Sequence, residues 1–314
     1  MAKPEDVAFP SHGETCVGWH LIGEGDAFAG DGRRPCVVMA HGIGGTRDSG
    51  LLPFAESFAE AGLDCLLFDY RCFGESTGEP RQLGWPPDHR EDYRAAVDFA
   101  RTLDGVDPDR IVLWGTSWSG GHAVYVAADD ARIAAVIAQT PDLDGVRTLR
   151  EITRYAHWGA LARLTWEGVK DLAGAARGLP PNMVPLVAPM GELAAMASAD
   201  AEQGYAAIAG PTWRNEISAR AAIAENLNRA ITRMDRVSCP ILVQIADRDT
   251  IAPPAQARAA AWRAKGRVEV REYPCAHFDI YLGWRERAIT DQLHFLRRRL
   301  AAEDAEVAPQ EQPA

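Results

Sequence analysis

The stretch Gly115–Gly121, GTSWSGG, constrains the fold of this chain more than any other segment. It follows the apolar run Ile111–Trp114 and precedes a run of small residues, so the pattern predicts a strand, a sharp turn and a helix. A serine on such a turn adopts a strained backbone conformation that exposes its hydroxyl above the sheet. The residues two positions away must be small, because the strand and helix backbones nearly touch there. Gly115 meets this requirement, Ser119 stands where the motif has its second glycine, and Ser117 is the predicted nucleophile.

A second stretch, Gly74–Gly78 (GESTG), matches the G-x-S-x-G pattern literally but lies in a different context. It follows the apolar strand Cys65–Phe68 through a polar connection. Glu79-Pro80 then stops any helix at the point where the helix of the motif should begin. We therefore interpret this stretch as a glycine-rich loop and do not expect Ser76 to be a nucleophile.

Composition and charge exclude several classes of function. The chain has 314 residues, enough for one large domain with an insertion, and a net charge of −11. Binding to a phosphate backbone or to anionic lipid requires clustered Lys and Arg, so we expect neither a nucleic-acid nor a membrane partner. The first residues contain no apolar segment typical of a secretory signal, and no apolar run approaches the length of a membrane span. These features predict a cytoplasmic protein.

The six cysteines show no C-x-x-C spacing, and several lie in or beside predicted strands. This distribution favours buried, reduced thiols over disulfides or a metal site.

Short apolar runs that alternate with helical patterns dominate the rest of the chain. From Cys36 onward these runs lack polar alternation, as expected for parallel strands covered on both faces. The pattern predicts an α/β protein with a mostly parallel, doubly wound sheet, in which the first segment begins an antiparallel edge hairpin. The predicted strands are Thr15–Leu21, Cys36–Met39, Asp64–Phe68, Ile111–Trp114, Ile133–Ala138, Ile241–Ile245 and Val268–Tyr273.

An insertion interrupts this alternation. We expect the first part of the core at residues 1–145, a mainly helical cap at 146–238, the second part of the core at 239–301 and a disordered tail at 302–314. The cap carries large apolar side chains, which suit a moderately apolar substrate. The predicted substrate contacts are Trp158, Trp166, Met183, Met190 and Trp213. A role of these residues in the cap's own core remains an open alternative.

An activated serine needs a base and an acid that orients the base, and in proteins with this turn their chain order is serine, acid, histidine. His277 lies just beyond the last predicted strand and is the predicted base. Two carboxylates, Asp247 and Asp249, follow the strand Ile241–Ile245. Asp249 precedes a short apolar turn and a proline, and we favour it as the acid over Asp247.

The oxyanion that forms during attack on a carbonyl needs two backbone N–H donors. One is predicted at Trp118, directly after the nucleophile. The other is predicted at Ile43, in the glycine-rich loop Ala40–Gly45, with Gly44 as the alternative. His41 in this loop is expected to brace the loop by hydrogen bonding.

Together these residues resemble the α/β-hydrolase superfamily from Cys36 to about Leu300. The resemblance is closer to the dienelactone-hydrolase and Xaa-Pro-dipeptidyl-peptidase-like branch, which includes the polyketide transferases of fungal biosynthetic clusters. The segments that carry it are Asp69–Arg71, Phe73–Pro80, Trp114–Ser117, Val184–Glu192 and Trp213–Glu216. The resemblance implies a Ser117-Asp249-His277 triad and no cofactor. Ser119 in place of glycine departs from the usual pattern.

The sequence therefore predicts a serine hydrolase that cleaves an ester, thioester or amide of a small-molecule acyl substrate. Two alternatives stay open. One is an acyltransferase of the polyketide transferase type with the same triad, and the other is a non-catalytic receptor that retains the hydrolase pocket. Both a monomer and a homodimer are compatible with the sequence.

Overall fold

A central sheet of eight strands organises the part of the chain that the computed structural model describes, residues 3–153, 157–264 and 267–300. The strands are β1 (Glu5–Ser11), β2 (Glu14–Leu21), β3 (Arg34–Ala40), β4 (Asp64–Phe68), β5 (Val106–Thr116), β6 (Ile133–Gln139), β7 (Met183–Val184), β8 (Ile217–Ser218), β9 (Ile241–Ala246) and β10 (Val268–Tyr273). The central sheet has the order β1-β2-β4-β3-β5-β6-β9-β10, and β7 and β8 form a separate pair.

The sheet is antiparallel at one edge and parallel elsewhere. Strand β2 pairs antiparallel with both β1 and β4, whereas every other neighbouring pair is parallel. The predicted fold class is confirmed. An antiparallel edge hairpin is present, but the predicted segment Thr15–Leu21 ends it and does not begin it, because its partner β1 comes earlier in the chain. The sequence analysis missed β1, where only Phe9 and Ser11 are buried and Pro10 lacks the N–H of an ordinary strand residue.

Helices cover both faces of the sheet, because its inner strands are buried on both sides. They are α1 (Leu52–Glu60), α2 (Pro86–Ala100), α3 (Trp118–Asp129), α4 (Gly145–Ile152), α5 (Trp158–Ala175), α6 (Ala201–Ile208), α7 (Arg220–Ala224), α8 (Pro254–Ala261) and α9 (Arg285–Leu300). Alternate residues of β3 point to opposite layers. Val37 and Met39 join the core with α1 and α9, whereas Cys36 and Val38 join the core with α2, α3 and α8.

The chain leaves the sheet after β6, forms a mainly helical insertion and returns at β9. The insertion also contains the short strand pair β7–β8, which the sequence analysis did not predict. Hydrogen bonds attach the insertion to the core. Asp48 accepts from the backbone N–H of Thr212 at 3.0 Å and from its hydroxyl at 2.9 Å, and Gln82 donates to the carbonyl of Glu216 at 3.0 Å. The predicted tail at 302–314 lies outside the described residues.

All six cysteines are buried and unpaired, as predicted. Among the described residues, the structure contains no helix with the length and apolar character needed to cross a membrane.

Candidate active site

Ser117 occupies a sharp turn between β5 and α3. Its backbone angles, φ 55° and ψ −121°, lie in a region that L-residues with a side chain rarely adopt. The turn is possible because Gly115 lacks a side chain: a Cβ at that position would lie 2.2 Å from the carbonyl oxygen of Ser119. The sequence therefore places a strained serine at the carboxyl end of a central strand.

Ser119, the departure from the usual motif, has a structural function. Its Oγ accepts a hydrogen bond from the N–H of Thr116 at 2.8 Å and lies 2.7 Å from the carbonyl oxygen of Ala40, to which it can donate. A glycine could make neither contact. The hydroxyl therefore connects the ends of β5 and β3 directly below the turn.

By contrast, Ser76 in the literal G-x-S-x-G match lies in a loop without a following helix. Its hydroxyl donates to the carbonyl of Asp69 at 2.7 Å and accepts from the N–H of Val17 at 2.9 Å. The predicted interpretation of this stretch as a connecting loop is confirmed.

His277 lies beyond β10 and contacts the carboxylate of Asp249. The imidazole Nδ1 donates to Asp249 Oδ2 at 2.6 Å, and both side chains are buried. Asp249 Oδ1 accepts from the N–H groups of Ile251 and Ala252 at 2.8 and 2.7 Å, so the carboxylate is held from two sides. Asp247 is instead 40% exposed, with Arg248 as its neighbour. The structure thus places Asp249, and not Asp247, against the histidine.

The environment of His277 favours its protonated form. Burial alone would lower the pKa of His277, but the charge and the hydrogen bond of Asp249 outweigh it, and the pKa is raised above its ordinary value. An imidazole with this partner is suited to accept the proton of a nucleophile and to hold the resulting positive charge.

Ser117 and His277 line one small cavity, which we call the histidine-side cavity. Its other walls include Ile43, Ile208 and Tyr281. The nucleophile and base predicted from distant parts of the sequence therefore face the same space.

The glycine-rich loop after β3 lies beside the nucleophile. A Cβ at Gly42 would lie 3.1 Å from the Cβ of Ser117, so the loop backbone approaches the serine closely. The carbonyl of Gly42 accepts hydrogen bonds from His41 Nδ1 at 2.9 Å and from the N–H of Gly45 at 3.2 Å. Because a trans peptide directs its C=O and N–H to opposite sides, the N–H of Ile43 points away from these partners.

Trp118 supplies the second predicted donor. It is the first residue of α3, where the backbone N–H groups have no acceptor within the helix. The N–H groups of Trp118 and Ile43 remain the predicted pair of oxyanion donors, and the helix N-terminus adds partial positive charge beside Ser117.

Below this turn lies a cluster of aromatic and histidine rings that the sequence analysis missed. His89 stacks on Tyr70 with a centroid distance of 4.1 Å and packs edge-on against Trp118 and His122. Burial lowers the pKa of His89 and His122 well below the usual range and that of His41 to about 4, so the three imidazoles are neutral. Trp118 and His122 are four residues apart on one helix face, which is the only sequence signal for this cluster.

Two further cavities extend under the cap, and one of them adjoins Ser117. The cap-side cavity is lined by Ser117, Trp118 and Ile43 and by residues of α4, α5 and α7. The outer cap cavity lies further along α5. Both cavities share the same apolar residues, which are Ile152, Leu161, Leu164, Ala195, Met196 and Ile251.

The predicted cap contacts occupy different places. Met190 lines the outer cap cavity, and Trp213 stacks on Tyr205 with a centroid distance of 5.4 Å. Trp158 and Trp166 are 69% and 61% exposed, and neither contributes to the walls of these three cavities as the described residues define them. Met183 lines a separate surface groove. Of the five predicted contacts, Met190 lines one of the three cavities as the described residues define them, and the substrate-binding roles stay predictions.

Known proteins resemble this chain in sequence and in structure. Quorum-quenching protein AidA of Acinetobacter baumannii is 40% identical over 298 residues, which cover 94% of this chain and 95% of that protein. Thiohydrolase aneE of Aspergillus aculeatus is 40% identical over 127 residues, which cover 40% of this chain and 39% of that protein. The crystal structure of the alpha/beta hydrolase GrgF from Penicillium sp. sh18 superposes with a TM-score of 0.78 at 25% identity, covering 95% of this chain and 99% of that one.

Residues 35–283 match the alpha/beta hydrolase fold family. The relatives carry the names of hydrolases and acyltransferases, which sets aside the non-catalytic receptor considered above. This chain belongs to the alpha/beta hydrolase fold family and is an enzyme of that family.

Proposed function

We propose that the chain is a serine hydrolase in which Ser117, His277 and Asp249 form a catalytic triad. Its proposed reaction is the cleavage of an ester or thioester of a moderately apolar acyl substrate through an acyl-enzyme. The observation that carries the proposal is the strained Ser117, which shares a cavity with a buried His277 that Asp249 holds at 2.6 Å.

In the proposed reaction, His277 takes the proton of the Ser117 hydroxyl as Oγ attacks the substrate carbonyl carbon. The N–H groups of Trp118 and Ile43 stabilise the oxyanion, and each donor of this kind typically contributes about 3–4 kcal/mol. His277 then protonates the departing alcohol or thiol, which leaves the acyl group on Ser117. Water, deprotonated by His277, releases the acid and restores the serine. Asp249 keeps the imidazole in the required tautomer throughout.

The cavities under the cap favour an apolar acyl group. The cap-side cavity begins at Ser117, and the outer cap cavity continues from it along residues shared by both, such as Leu161, Leu164 and Met196. An elongated apolar chain bound there would be removed from water with its carbonyl at the serine. The histidine-side cavity lies beside His277, the residue that protonates the departing alcohol or thiol.

The relatives' names guide the choice of substrate. Because one relative that matches almost the whole chain is a quorum-quenching protein, we favour a small signalling molecule with a hydrolysable ester bond. The partial matches to a thiohydrolase and to polyketide transferases support a thioester as the second candidate, with an alcohol or amine replacing water as acceptor. Product analysis with and without an added acceptor distinguishes transfer from hydrolysis.

The proposal is tested by comparing two serine variants on p-nitrophenyl esters and on acyl thioesters of graded chain length. Ser117→Ala should lower kcat by more than about 10³-fold, since the nucleophile is lost. Ser76→Ala, which alters the serine of the literal G-x-S-x-G motif, is the matched control and should retain turnover. Equal activity of Ser117→Ala and the unaltered protein would contradict the proposal.

A further inference from the structure

Two carboxyl groups, the buried Asp142 and the half-buried Glu225, line the cap-side cavity together with Ser117 and Trp118. We call them the carboxyl pair. The N–H of Asp142 donates to the carbonyl oxygen of Ser117 at 2.9 Å, so the pair is joined directly to the backbone of the nucleophile. The rest of this cavity is largely apolar, which makes two acidic side chains an unusual part of its wall.

Asp142 is held in place by its neighbours. Its Oδ1 accepts from the hydroxyl of Thr148 at 2.8 Å and from the N–H of Asp144 at 3.3 Å. Its Oδ2 accepts from Asn228 Nδ2 at 3.4 Å. These contacts account for both oxygens of Asp142 and fix the position of its carboxyl group.

Glu225 is satisfied less completely. Its Oε1 is buried and has no hydrogen-bond partner among the described residues. Burial and the neighbouring Asp142 raise the pKa of Glu225 well above its usual range. A weak hydrogen bond from the indole N–H of Trp118, which has no acceptor of ordinary geometry, opposes the rise. The pKa of Asp142 is raised as well, mainly by burial. Two carboxyl groups in contact share a proton, so the pair carries about one negative charge instead of two and retains capacity to accept hydrogen bonds.

We propose that the carboxyl of Glu225, held against Asp142, accepts a hydrogen bond from a hydroxyl or amide N–H that the acyl group carries near its carbonyl. The enzyme then prefers acyl substrates with such a donor over plain fatty acyl substrates. This inference rests on the proposed function, because it assigns the acyl group to the cap-side cavity. A buried carboxyl oxygen that makes no hydrogen bond of ordinary geometry, on a residue that lines the same cavity as Ser117, is complementary to a donor on a substrate bound there.

A purely structural role is the competing explanation, since the carboxyl pair also joins the loop after β6 to the end of α7. The two explanations differ in one measurable quantity. A structural role changes the activity toward all substrates alike, whereas recognition changes the ratio between substrates with and without the donor.

The test uses ethyl thioesters of octanoate, 3-hydroxyoctanoate and N-hexanoylglycine, which differ mainly in the donor. We expect the unaltered enzyme to prefer at least one donor-bearing thioester by about tenfold in kcat/KM. Glu225→Met, which is similar in length but has no acceptor, should reduce this ratio to near one. Glu225→Gln keeps a carbonyl acceptor and should retain a higher ratio than Glu225→Met. Glu202→Gln, at an exposed position of α6, is the matched control and should leave the ratio unchanged.

Equal kcat/KM of the unaltered enzyme for all three thioesters would overturn the inference, even if the variants failed to fold. A preference that persists in Glu225→Met would overturn it too. Hydrolysis of the octanoyl thioester that depends on Ser117 would leave the proposed function intact in both cases. If no thioester or ester is hydrolysed and a fluorophosphonate does not label Ser117, the proposed function itself is wrong.

Discussion

Tyr205, on the cap helix α6, donates its hydroxyl proton to the carbonyl oxygen of Ile43 in the loop after β3. The bond connects the insertion to the peptide that follows a predicted oxyanion donor. The ring of Tyr205 lies between Trp213 and Phe278, at centroid distances of 5.4 and 5.2 Å. The cap therefore takes part in orienting the loop as well as in covering the cavities.

We expect Tyr205→Phe to lower kcat about three- to tenfold with little change in KM. The variant loses the hydrogen bond to the carbonyl oxygen of Ile43, which helps to orient the loop. Phenylalanine keeps the ring between Trp213 and Phe278, so the thermal midpoint should change little. Tyr125→Phe, which removes a hydroxyl near the N–H of Arg229, is the control. A kcat equal to that of the unaltered enzyme would show that the loop does not depend on this contact.

The activity should fall on the acid side with an apparent pKa above the ordinary histidine value of about 6.5. Only neutral His277 can accept the serine proton, and Asp249 raises the pKa of His277 by stabilising its protonated form. Asp249→Asn removes that stabilisation, so the acid limb of kcat/KM against pH should move to lower pH while the plateau falls by several orders of magnitude.

Asp247→Asn serves as the control for this profile, because Asp247 is exposed and contacts Arg248. Its profile should superpose on that of the unaltered enzyme. An acid limb that moved in Asp247→Asn and stayed in Asp249→Asn would exchange the assignments of the two carboxylates.

The turn at the nucleophile should tolerate no side chain at position 115. Gly115→Ala would force a Cβ against the Ser119 carbonyl, and we expect it to lower the free energy of unfolding by about 3 kcal/mol or more. Gly159→Ala, in α5, meets no atom within 4 Å and should be neutral or stabilising by up to about 1 kcal/mol. Urea unfolding of both variants measures the difference, and equal stabilities would contradict the packing described at the turn.

The connection between the two cap cavities should determine the length of the accepted acyl chain. Leu161 lines both cavities, and Leu161→Trp should reduce kcat/KM for long acyl esters about tenfold or more while short esters are still cleaved. Trp166→Ala, on the exposed side of the same helix, should leave the chain-length profile unchanged. A profile altered by Trp166→Ala and not by Leu161→Trp would place the acyl chain elsewhere.

Local sequence patterns were sufficient to predict the sharp turn at Ser117 and the residues around it. A glycine two residues before Ser117, a small residue two after it and an apolar strand before the turn restrict the backbone so strongly that the position of the serine follows. The choice of Asp249 also followed from its local context, the short apolar turn with a proline after it. The parallel sheet was predicted from apolar runs that lack polar alternation and that follow one another along the chain with helical patterns between them.

The cap contacts could not be predicted because α5 is apolar on two faces. Leu161 and Leu164 line the cavities, whereas Trp158 and Trp166, at an equally helical spacing, point outward. The helical periodicity of apolar residues alone does not show which of the two apolar faces of α5 lies against the cavities. The contact between Asp142 and Glu225 is likewise invisible in the sequence, since only the folded cap brings these distant residues together.

The most direct test of the account is the site of covalent labelling by a fluorophosphonate, mapped by mass spectrometry of peptides from the inactivated enzyme. The account predicts one adduct on the peptide that contains Ser117, formed in parallel with the loss of esterase activity, and no adduct on the peptide that contains Ser76. Complete inactivation with the adduct on another residue, and Ser117 unmodified, would contradict it.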